Sequence, residues 1–336
     1  MRPIHFMLLP AVVLVAQAPA KVDLVQRFNT ELPGINQMLK ELKTQEALTK
    51  VQELVPAEHP AFDGSSLQTI ALSLDDARGM GALYGLLAKT TSVSGQWEKA
   101  VEIQEKRAQS ARATLADLER AQAPIAAQWK KVSLDSGDYV AKNTDRQQEL
   151  QANLKALKED VDAVNAKKKK LDAKGIDDLK ARIAKAPQDE QELAQINAAL
   201  PVHKKNLANA PKVFKILDDN RKEVEGMIKT ADEALTKTKK LVADQGDEIT
   251  QFNTQQVIKK VKIVGRKNWV DAVMRAHENI TKQGSPEEQA AFLSRLLVLD
   301  PGNAGAQKAL DNLKAGKEAF AKELKPAKKG SAKKQQ

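Results

Sequence analysis

The sequence predicts an all-α protein, an elongated antiparallel coiled-coil stalk with small helical segments at its ends. Three observations carry this. Charged residues make up 29% of the chain and aromatics only 4%, with Ala, Lys, Leu, Gln, Asp and Glu dominant; such chains form long helices rather than compact mixed folds. Three separate runs place apolar residues in alternating steps of three and four, the heptad period of helices that supercoil. Alternation of β-branched residues, the strand signal, is scarce.

The chain opens with Met1, Arg2 and His5, an apolar run from Phe6 to Ala16, and then Ala16-Gln17-Ala18-Pro19-Ala20 before Lys21. A basic start, a short apolar stretch and small residues at A-x-A are the order of a secretory signal peptide. The run is too short for a spanning helix, which needs about 20 apolar residues. Residues 1–20 are therefore expected to be removed, leaving an exported protein, periplasmic or secreted. The chain has no Cys, so it must be held together by packing without disulfides. Its net charge of +10 favours anionic partners or surfaces.

Residues 21–94 form the least regular zone, with Pro33-Gly34, Pro56, Pro60 and Gly64 between apolar groups at helical spacing. Several short helices packed into a head are expected. Residues 95–262 carry the seams. The first runs from Val101 through Gln104, Ala108, Ala111, Leu115, Leu118, Gln122 and Ile125 to Val132, and is expected to stop at Ser133–Asp138, a cluster of turn formers. The second runs from Leu150 through Leu154, Leu157, Val161 and Val164 to Leu171, ending near Gly175. A short connection between two such helices implies antiparallel neighbours. Breaks are expected at Pro187 and between Pro201 and Pro211. A third seam then runs from Leu217 through Val224, Ile228, Ala231 and Leu235 to Phe252.

Residues 263–324 form the last ordered zone, with Gly284, Glu287-Glu288 and the run Leu297-Val298-Leu299-Asp300-Pro301-Gly302-Asn303-Ala304, followed by Leu310. This pattern resembles a tetratricopeptide repeat, a helix–turn–helix unit that binds proteins, although Gln289 and Leu296 occupy the places of its small residues. A fainter echo lies at Tyr84, Leu87, Ala88 and Gly95-Gln96-Trp97-Glu98-Lys99-Ala100, where Gly95 would make the central turn. The resemblance implies repeat-like hairpins, one at each end of the stalk. Residues 325–336 carry Lys325, Lys328, Lys329, Lys333 and Lys334 without an acid or an apolar anchor, as in a disordered tail.

The residues offer little chemistry. His59, His203 and His277 lie in different zones without ligand spacing, so no metal site, cofactor or catalytic residue is assigned. Gly79-Met80-Gly81-Ala82-Leu83-Tyr84-Gly85 departs from a dinucleotide loop and follows no strand. Asp135, Gly137 and Asp138 supply too few oxygens for calcium. The run Lys167–Lys170 reads as a solvated helix face beside its terminus, with an anion patch as the rival. No basic groove with interleaved aromatics points to nucleic acid. Binding rather than catalysis is expected: an exported coiled-coil scaffold for other proteins or, alternatively, a holdase-type chaperone. The expected contact residues are Phe292, Leu293, Leu296, Leu297, Leu310, Leu313 and Phe320, because a two-helix unit cannot bury that much apolar surface within itself. The surplus can go to the chain's own stalk, to a second copy or to a foreign protein. The lysine tail is expected to touch an anionic envelope surface.

Export is directly testable: N-terminal sequencing of the protein from an exporting host should begin at Lys21, whereas an intact Met1 in a membrane fraction would make the segment an anchor.

Overall fold

The computed structural model describes residues 24–258, 265–279 and 284–320. The expected signal segment, 1–20, and the lysine tail, 325–336, lie outside them. Among the described residues all regular structure is helical: α1 (Leu24–Lys40), α2 (Thr44–Leu54), α3 (Leu67–Val93), α4 (Trp97–Asn165), α5 (Ala173–Ile258), α6 (Gly265–Asn279), α7 (Pro286–Leu299) and α8 (Ala304–Lys314). The all-α class is the one the composition and the seams predict. None of these helices is long and apolar enough to cross a membrane.

The chain divides into two units. Of the described residues, the first takes 24–60, 75–108, 231–258, 265–279 and 284–320; the second takes 61–74 and 109–230. In the first unit, α1 and α2 fold onto α3. Leu24, Ile35, Val51 and Leu54 pack there against Met80, Leu83 and Leu86. Burying a side chain of this size contributes about 1.5–3 kcal/mol. Gly79 belongs to this contact and not to a ligand loop: a Cβ there would come within 2.6 Å of Leu24 Cβ. The turn expected at Gly95 is present between α3 and α4, with Ala88 and Ala100 buried on either side.

In the second unit, α4 and α5 form an antiparallel pair whose register is fixed by pairs along its length. Leu118 packs with Val224, the Gln122 amide donates to the Leu217 carbonyl at 3.2 Å, and Arg146 pairs with Glu192 at 2.8 Å. Leu150 then packs with Ile196 and Leu200, and Arg182 reaches Asp160 at 2.7 Å. The start of α3 lies on this pair, with Ile70 and Leu74 against Leu118 and Val224.

Three sequence expectations give way here. No turn occurs at Ser133–Asp138, where α4 is continuous. Ser136 is buried with its hydroxyl 3.1 Å from His203 Nδ1, and the His203 ring stacks on Tyr139 at 4.1 Å. Tertiary packing on the partner helix outweighs the weak local preference for a turn. The second expectation, of breaks at Pro187, Pro201 and Pro211, fails in the same way: all three lie inside α5. Each is exposed, so the carbonyl it deprives of a hydrogen bond, one turn earlier on the same face, is open to water. The third is the Lys167–Lys170 run, which is not a helix face. It lies in the real turn of the pair, residues 166–172.

The register predicts unequal costs on α4. Leu118→Ala, at a fully buried seam position, should lower stability by about 2–5 kcal/mol in chemical denaturation. Leu134→Ala, on the outer face, should change it by no more than about 0.5 kcal/mol.

Candidate partner-binding site

The C-terminal helices are well defined by their caps. Ser285 Oγ accepts from the Glu288 backbone N–H at 3.3 Å, and the Ser285 N–H donates to Glu288 Oε2 at 2.8 Å, with Pro286 opening α7. This reciprocal arrangement satisfies two otherwise unpaired donors. Asn303 caps α8 by accepting from the Ala306 N–H at 3.0 Å, and its amide donates to Asp271 at 2.9 Å, tying α8 to α6.

The structure brings the expected contact residues together, but in the chain's own core. Leu293 and Leu296 are wholly buried and Leu310 and Leu313 nearly so. Phe292, Leu297 and Phe320 are half-buried against the same cluster. Trp269, Val270 and Met274 of α6 cover them, together with Ile249 and Phe252 of α5 and Leu42 from the α1–α2 turn. The apolar surplus of α7 and α8 is therefore taken up within the first unit. A side chain with no exposed surface cannot meet a partner without opening this core, so Leu293 and Leu296 are not a free contact surface.

A constellation that the sequence did not flag holds α7 in place. Arg295, one residue before Leu296, is 2% exposed. Its Nη1 and Nη2 donate to the two carboxylate oxygens of Glu98, both at 2.8 Å. Nη1 also reaches the Gly95 carbonyl at 3.1 Å, and Nε donates to Gln245 Oε1 at 2.7 Å. The guanidinium face lies 4.7 Å from the Trp97 ring centroid, a cation–π contact. Gly95 has φ +84°, and a Cβ there would sit 2.6 Å from the backbone of Ser294 and Arg295. Glycine is thus required by both conformation and space. The hydrogen bonds from Arg295 hold the Glu98 carboxyl below its ordinary value. Glu98 also lies in the first turn of α4, where negative charge suits the helix dipole.

Other sequence candidates are dispersed. His59 Nδ1 lies 3.1 Å from the Pro60 carbonyl and His203 sits in the α4–α5 pair; the His277 side chain is outside the described residues. Asp135, Gly137 and Asp138 lie within helix α4. No group of three or more His, Asp or Glu among the described residues could hold a metal ion.

Apolar side chains are left in water mainly on the second unit. Leu134 is 63% exposed and Val202 56%, and Ile176, Ile183, Phe214 and Ile216 are exposed with them. Val202 and Ile216 are two heptads apart on α5, which places them on one side of that helix. Compared with family models, curated proteins and solved structures, the chain matches none of them.

The charge on Glu98 sets a pH dependence. Its depressed pKa contributes stability that is present above the ordinary carboxylate value of 4.5 and is lost as pH falls through the lower folded value. Stability of the native chain should therefore fall on acidification below pH 4.5 more steeply than that of Glu98→Gln, as read by denaturant midpoints across pH.

Proposed function

We propose that the chain is an exported helical scaffold that binds other proteins in the cell envelope, with its contact surface on the α4–α5 pair of the second unit. The observation that carries this reading is the set of large apolar side chains exposed there. Each element of a two-helix pair buries one stripe, and residues such as Leu134 and Val202 face away from it. Contiguous exposed apolar surface marks interaction sites, and Val202 and Ile216 share one side of α5. Export rests on the order of residues 1–20, a basic start, an apolar run and Ala18-Pro19-Ala20. The resemblance of residues 267–320 to a tetratricopeptide hairpin adds an analogy to protein-binding units. The lysine tail, Lys325 to Lys334, supplies weak, salt-sensitive contact with an anionic envelope surface.

A holdase-type chaperone is the second reading, favoured by one observation. The exposed apolar residues run from Leu134 on α4 through Ile176, Ile183 and Val202 to Ile216 on α5, a distribution that suits many loosely held chains. Photocrosslinkers placed at Leu134, Val202 and Ile216 in the exporting host separate the two. A scaffold gives one or two defined products; a holdase gives many unrelated ones. Val202→Lys with Ile216→Lys should abolish the products while shifting stability by no more than about 1 kcal/mol. An unchanged product pattern in that variant would remove the assignment to α5.

A further inference from the structure

We propose that the turn joining α4 and α5, residues 165–185, is a docking surface for an anionic lipid bilayer. Eight cations and three acids lie between Lys167 and Lys185. Some are neutralised locally: Lys169 pairs with Asp160 at 2.6 Å, and Arg182 with the same carboxylate at 2.7 Å. Lys167, Lys168, Lys170 and Lys174 are exposed, and among the described residues none of the four has an ion-pair partner.

Folding does not account for these lysines. Lys167 has φ +58°, and its N–H and that of Lys168 close the end of α4 on the Val164 and Ala163 carbonyls at 3.0 and 2.9 Å. This helix-ending position with left-handed backbone is one that glycine or asparagine fills at lower cost. Lys174 sits in the first turn of α5, where its charge opposes the helix dipole, while the Asp172 carboxylate caps the same turn by accepting from the Gly175 N–H at 2.8 Å. The cluster thus spends local stability on surface charge. Beside it, Ile176, Lys180 and Ile183 share one face of α5 at i, i+4 and i+7, and both isoleucines are exposed.

Cations flanked by exposed aliphatic side chains match the interface of a bilayer, where lysines meet acidic headgroups and isoleucines enter the acyl boundary. No Phe, Tyr or Trp occurs between Val140 and Val213, so bases would find nothing to stack on. A soluble polyanion would use the lysines and ignore the isoleucines. This surface shares Ile176 and Ile183 with the exposed apolar set of α5, but its lysines do not enter the protein-binding reading, whose test uses Leu134, Val202 and Ile216.

The test uses the full mature chain and sedimentation with vesicles of phosphatidylcholine alone or with roughly 30% phosphatidylglycerol, at low and high salt. The native chain should bind only the anionic vesicles, and less at high salt. Each lysine contributes about fivefold, so K167Q/K168Q/K170Q/K174Q should weaken binding at least about tenfold. I176Q/I183Q should also weaken it, and deletion of residues 325–336 should leave most of it. Because all six substituted side chains are exposed, helix content and melting temperature should match the native chain, and circular dichroism checks this. Native-like binding by the lysine variant, or loss of binding on tail deletion alone, would overturn the proposal. So would unchanged binding by I176Q/I183Q, which would assign the lysines to a soluble anionic polymer.

Discussion

A guanidinium taken out of water loses several kcal/mol of hydration, and the loss is offset only if nearly every N–H finds an acceptor. Arg295 meets that condition with partners from two separate parts of the chain: the Gly95 carbonyl, the Trp97 ring face and the Glu98 carboxylate in one, and Gln245 in the other. The demand works in both directions. Because Arg295 lies on α7 between Leu293 and Leu296, the leucines cannot be buried unless the guanidinium is buried with them. Because its acceptors are fixed groups at the start of α4 and near the end of α5, α7 can pack in one register only. Removal of the Glu98 carboxylate would leave the buried guanidinium without its counter-charge, at a cost reduced by the water that reaches the Glu98 side chain, which is 55% exposed. The register of the first unit's C-terminal helices depends on this contact together with the leucines.

The second unit follows a different constraint. Its α4–α5 pair buries the Asp189 carboxylate only beside an exposed lysine, Lys185 at 3.4 Å; it is held by a seam repeated turn after turn, and the repetition overrides local signals. Ser133–Asp138 looks like a turn because Ser, Asp and Gly favour turns in isolation. In the pair, Ser136 is an interior position matched to His203, and a break there would forfeit the packing on both sides of it. The prolines of α5 are tolerated for a related reason: each lies on the side facing water, so the interruption falls where it is least costly. Where packing no longer repeats, at residues 166–172, the chain turns.

This distinction explains what could be read from the sequence. The seams are local patterns, and where the period places them Leu118, Leu150, Leu217 and Val224 and the polar Gln104 and Gln122 are buried, while Leu115, Leu154, Val161 and Ile228 are half-buried. The Gly95 turn was legible for the same reason, since Gly95-Gln96-Trp97 carries its own signal. The clasp was not. Arg295 and Glu98 are 197 residues apart, and nothing in the spacing of either announces the other. The one local hint is a cation set among the leucines of α7, on the face that buries Leu293 and Leu296. Gln289 and Leu296 stand where the repeat resemblance expects small residues, whereas the small residues buried among these helices are Ala290, Ala306 and Ala309. The proline and turn signals misled because they report preferences of single residues, which a long seam outweighs.

The same logic decides where an interaction surface can lie. The apolar residues of α7 and α8 looked available because a helical hairpin by itself has too little interior. They are covered because α5, α6 and the α1–α2 turn supply additional walls, so each leucine meets neighbours on several sides. A helix in the α4–α5 pair has one main neighbour and buries one stripe. Leu134 is two positions from Ser136, which puts it on the opposite side of α4 from the seam. No change of register could bury Leu134 without exposing the seam. An apolar side chain fixed in that position contributes nothing to the pair and raises the risk of unspecific association. Leu134 on α4 and Ile176, Ile183, Val202, Phe214 and Ile216 on α5 are the residues that the proposed contact with another protein would cover.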